Sequence, residues 1–92
     1  MANYFVTYDL NGSTPSHKRV DEVLERLGAT RGRVLETVWY VGYYGSASSL
    51  FEAVNAIFSN NDQLLVIDAR DIVWRNLLIT DESIQQSWAA NA

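Results

Sequence analysis

Tyr4-Phe5-Val6-Thr7-Tyr8-Asp9-Leu10 is a run of β-branched and aromatic residues that closes on a carboxylate and is followed by the turn pair Asn11-Gly12. Side chains of these types suit a pleated, largely buried surface, so the run predicts a central strand that organises the rest of the chain. Asp9 then stands where a sheet meets solvent, on rigid backbone, with its carboxylate available to bind a cation or accept a proton. Aspartate also commonly turns a chain into an Asn-Gly pair, and position alone leaves both roles open.

Downstream, Thr14-Pro15-Ser16 offers a capping hydroxyl and a proline that needs no amide partner, which predicts a helix running to about Leu27. Val20, Val23, Leu24 and Leu27 recur on one face, with Lys18, Asp21, Glu22, Glu25 and Arg26 on the other. Gly28 is expected to stop this helix in a left-handed conformation. Arg33 to Tyr44 is again strand-forming but too long for one strand, so a bulge or bend near Glu36-Thr37 or at Gly42 should divide it. A second helix follows, capped by Ser46 or by Ser49 with Glu52 three residues on, and turns Leu50, Val54, Ile57 and Phe58 inward. Ser59 to Asp62 ends it, and Leu64 to Ile67 predicts a short fourth strand. Ile72 to Ile79 fits both a fifth strand and a helical turn. Thr80-Asp81 predicts a last short helix with Ile84 and Trp88 on its apolar side, and Ala89 to Ala92 a frayed end.

Strand, helix, strand, strand, helix, strand is an α+β order, the ferredoxin-like βαββαβ arrangement, with an antiparallel sheet, two helices on one face and a C-terminal extension. Residues 1–80 form the expected domain and 81–92 a short helix or tail. Two helices leave the second sheet face open, and Trp39, Tyr40, Tyr43, Tyr44 and the segment around Trp74 carry more aromatic surface than one small core needs. A homodimer through the sheet or its edge is the expected remedy.

Ninety-two residues, 48% of them hydrophobic, enclose one modest core. The sequence has no run of eighteen apolar residues, and Met1-Ala2-Asn3 lacks the basic and apolar regions of a secretory signal, so a soluble cytoplasmic protein with no membrane partner is expected. Without cysteine there is no disulfide, thiolate zinc site or cysteine nucleophile, and any metal must rest on oxygen, which favours magnesium, manganese or calcium. The net charge of -4 opposes general attraction to nucleic acid. Lys18, Arg19, Arg26, Arg31 and Arg33 nevertheless fall in one span, readable as a phosphate-binding patch or as a solvated face with ordinary ion pairs. His17, the sole histidine, suits proton transfer by its ordinary pKa and an exposed first turn by its position. The aromatics around Trp39 suit base stacking or core packing, and Asp68 and Asp71 a metal site or a turn.

Two features together carry a resemblance: the opening strand ending Tyr8-Asp9-Leu10 before a loop and helix, and Glu36-Thr37-Val38-Trp39-Tyr40-Val41-Gly42 ahead of the second helix. This arrangement resembles the small CRISPR-associated adaptation proteins termed Cas two and their relatives, the virulence-associated protein D nucleases and the SinR-like proteins. The likeness spans about residues 3–68, and Trp74-Arg75-Asn76-Leu77-Leu78 resembles the SinR-like branch. It implies a ferredoxin-like homodimer in which Asp9 and its symmetry mate hold Mg2+ or Mn2+. The implied activity is that of a metal-dependent phosphodiesterase, an endoribonuclease or DNase, a hydrolase acting on RNA or DNA. Other members are noncatalytic scaffolds that hold DNA beside a partner integrase. Thr37 stands where the family often has serine before an aromatic, and seven Lys and Arg are fewer than is common there. Two expectations follow. In one, Asp9 is the catalytic and metal-binding residue, with Arg31, Arg33 and Thr37 meeting substrate. In the other, favoured by the acidic balance, the chain is a noncatalytic dimeric scaffold or regulator with a protein partner.

Overall fold

The computed structural model describes residues 1–90. In β1 (Ala2–Asp9), alternation sends Tyr4, Val6 and Tyr8 into one hydrophobic core and Phe5 towards another on the opposite side. The chain continues through α1 (His17–Leu27), β2 (Thr30–Leu35), β3 (Val38–Tyr43), α2 (Ala47–Asn55), β4 (Gln63–Asp68) and α3 (Asp81–Ala90). The sheet has four strands in the order β2-β3-β1-β4, and every neighbouring pair is antiparallel. A third helix and an irregular segment follow the last strand, so the chain is an α+β protein larger than a bare six-element unit.

Three layers result. Val20 and Leu24 of α1 and Leu50 and Val54 of α2 cover Tyr4, Val6, Tyr8, Trp39 and Val41. On the other side Ile72, Trp74, Leu77 and Ile79, with Ile84 and Trp88 of α3, cover Phe5, Val34, Val38 and Tyr40. The ring of Trp88 lies 6.0 Å from Phe5 and 6.1 Å from Tyr40. Of the aromatic surplus expected to drive dimerisation, Trp39, Tyr40, Tyr43 and Trp74 are therefore packed within the chain, while Tyr44 stays exposed.

Local geometry settles several alternatives. The long strand-forming stretch divides at Glu36-Thr37, with a register shift between Arg33 and Leu35, while Gly42 lies buried inside β3. Ser16, not Thr14, caps α1, accepting from Arg19 N at 3.2 Å. Gly28 ends that helix at φ -83°, an extended and not a left-handed conformation. The space there is tight, since a Cβ would lie 3.0 Å from Thr30 O and 3.1 Å from Val41 Cγ1. Ser46 caps α2, and Ile57 and Phe58 pack on the core from beyond its end. Residues 72–79 form neither strand nor helix: Ile72, Trp74, Leu77 and Ile79 cover the sheet, while Val73 and Leu78 face solvent, 96% and 58% exposed. Thr80 Oγ1 accepts from Ser83 N at 3.1 Å to start α3, as its residue types predict. Of the expected frayed end, residues 91 and 92 lie outside the described residues.

Candidate functional site

Asp9 ends β1 opposite Gln63 of β4, exposed, on the sheet face away from α1 and α2. Among the described residues its carboxylate takes part in no hydrogen bond or ion pair. The turn-forming role open to it belongs to Asp62, whose Oδ1 accepts from Asn11 N at 2.8 Å and whose Oδ2 accepts from Ser59 N at 2.9 Å. These amides, Asn11 first, hold the Asp62 carboxyl below its ordinary range. Asp9 instead borders a shallow depression lined by Thr7, Gln63 and Leu65.

The other candidates divide between two places. Thr37 comes to the same end of the sheet, its carbonyl accepting from Tyr8 N at 3.2 Å. Arg33 crosses to the helical face, where its Nη2 stands 3.8 Å from Asp21 Oδ2. Arg31 lies on that face too, in a groove with Arg19, Glu22, Glu25 and Arg26 of α1. Through the rung Arg31, Val41 and Tyr4, it is five residues along the strand direction from Asp9, roughly 16 Å at about 3.3 Å per residue. Both arginines are thus separated from the carboxylate they were expected to serve. His17, exposed at the start of α1, has its ring 6.0 Å from that of Tyr8, again on the helical side.

A magnesium or manganese ion needs several oxygens in near-octahedral geometry. Among the described residues no three acidic or histidine side chains gather in one place, Asp68 and Asp71 included. Asp9 is, among the described residues, the one carboxylate lining its depression, beside the neutral side chains of Thr7 and Gln63, a donor set too weakly charged to hold such an ion by itself. A platform for unpaired bases is also missing from this arrangement: Trp39 and Tyr40 are buried on opposite faces, and Tyr44, 75% exposed, stands outside both cores.

Two features escaped the pattern of residues. Asp21, one position from the apolar stripe of α1, buries its Oδ1; the hydroxyl of Tyr8, which Asp21 and Trp39 both approach, and Trp39 Nε1 are buried too, and none of the three atoms has a hydrogen-bond partner among the described residues. Burial, then the Asp21 charge, pushes the Tyr8 phenol above its ordinary pKa. The second feature is the edge of the sheet. β4 pairs with β1 alone among the described residues, and Leu65 and Ile67 on its uncovered face are 55% and 43% exposed. Leu64 to Ile67 are all apolar, so the run predicts a strand without showing that one of its faces stays uncovered.

No helix among the described residues is long and apolar enough to cross a membrane. Compared with known proteins, the chain matches no protein-family model and no curated protein.

Proposed function

We propose that the chain is a noncatalytic interaction module of the ferredoxin-like kind, a scaffold or regulator that engages a protein through β4. The element order and the antiparallel order β2-β3-β1-β4 support the fold assignment, since both helical crossovers then return over the same face. One observation carries the functional reading: among the described residues β4 is paired on one side only and flanked by exposed Leu65 and Ile67, whereas the chain's own segment crosses the opposite edge. Such an edge is a template for another strand, and folded proteins normally blunt it. The separation of Asp9 from Arg31 and Arg33 supports the same reading, because phosphodiester hydrolysis needs charge stabilisation and nucleophile activation at one place.

A second reading keeps the hydrolase, and the exposed, unengaged Asp9 favours it. Two copies would have to pool their Asp9 carboxylates to make a site that fits Mg2+ or Mn2+, as in the family the sequence resembles. Labelled RNA and DNA incubated with manganese separate the two readings. The module predicts no more cleavage by the wild type than by Asp9→Ala. Metal-stimulated cleavage that disappears in a folded Asp9→Ala protein would overturn the module and establish the paired carboxylates.

A further inference from the structure

Resting on the reading of the chain as an interaction module, we propose that the β4 edge receives an extended, positively charged segment of another protein, added as a fifth strand. The two edges of the sheet are treated differently. At β2, Leu78 N donates to Val34 O at 2.9 Å and Ile79 lies against Gly32, so the chain's own segment crosses that edge. β4 has no such cover among the described residues, nor does it contain proline, lysine or a register shift to discourage pairing.

Charge selects the occupant. Five of the seven basic residues lie on α1 and β2, towards the far edge of the sheet, against Asp21, Glu22 and Glu25 on the same helix, which leaves that side net positive by two. Around β4 stand Asp62 before it, Asp68 at its end, Asp9 opposite its first residue and Glu52 in the groove between α2 and Val66, against Arg70 alone just beyond. A strand with alternating apolar residues meets Leu65 and Ile67 on one face and Val66 on the other, and lysine or arginine at its ends meets these carboxylates.

A second copy of the chain fits poorly. Opposed residues of an antiparallel pair share a sheet face, so symmetric pairing of two β4 strands centres on one residue. Centred on Leu65, it sets Asp62 of one copy against Asp68 of the other; centred on Val66, it sets Asp68 against the apolar Leu64. The basic edge, β2, is the one that Leu77 to Ile79 already cross.

The test uses the full chain and a short synthetic peptide of alternating valine and threonine with lysines at both ends, beside the same peptide ending in glutamates. Backbone amide resonances of Gln63 to Asp68 should move on adding the lysine peptide. It should bind about tenfold more tightly than the glutamate peptide, a gap that narrows as salt is raised. Leu65→Lys/Ile67→Lys, at exposed positions that leave the fold intact, should lose the peptide. Asp68→Lys should shrink the preference between the two peptides. Equal affinity for both peptides, shifts away from β4, or no shift at about millimolar peptide would overturn the proposal. So would a dimer of the wild type that Leu65→Lys/Ile67→Lys returns to monomer; the module reading would survive that result, with a second copy as its partner. Cleavage that depends on Asp9 is the separate outcome that removes the module itself.

Discussion

Asp62 lies at the surface, yet two backbone amides converge on its carboxylate and join the end of β1 to the end of α2. Asn11 N, then Ser59 N, hold its pKa below the ordinary 3.8 it would regain on unfolding. A depressed folded value stabilises the fold fully above the unfolded pKa, and the contribution disappears as pH falls through the lower folded value. Urea midpoints of the wild type and Asp62→Asn should therefore differ above about pH 4 and converge in more acidic solution. A gap that persisted unchanged to about pH 2 would show that shape and not charge matters there. Residue types alone marked both Asp9 and Asp62 as turn formers. Which one reaches the Asn11 amide depends on a contact across 51 positions of sequence, beyond the range of local chemistry.

The C-terminal segment acts at the scale of elements. Its apolar residues fit two periodicities and satisfy neither, because tertiary packing on Phe5, Val34 and Tyr40 outweighs local preference. In α3 the fully buried Ile84, with Trp88 beside it, pins the helix to the sheet. Ile84→Ala should cost about 2–5 kcal/mol in urea unfolding, the usual range for deleting a buried aliphatic side chain. Leu65→Ala should fall within about 0.5 kcal/mol of the wild type, as surface substitutions do. Comparable losses at both positions would mean that β4 is covered in solution.

At the scale of the whole molecule, charge and cover are unevenly shared. The basic residues of α1 and β2 and the carboxylates around β4 stand at opposite edges of one sheet, so most of the net charge of -4 is gathered on the β4 side. With Phe5, Val38 and Tyr40 covered from within, the full chain should sediment as a monomer at micromolar concentration. A chain ending at Arg70 should self-associate, because it exposes those three residues together. A stable dimer of the full chain that Leu65→Lys/Ile67→Lys leaves intact would instead strengthen the paired-carboxylate reading.

The strand-forming runs, the apolar faces of α1 and α2 and the start of α3 were written locally, in residue type, helical spacing and a capping hydroxyl such as that of Thr80. These depend on side chains within a few residues of one another, so the sequence by itself determined them. The partners of Asp62 and Arg33, the path of residues 72–79 and the contrast between the two sheet edges were settled by tertiary structure. Each depends on which distant groups compete for the same surface, and the sheet face left open by two helices was won by the chain's own apolar tail.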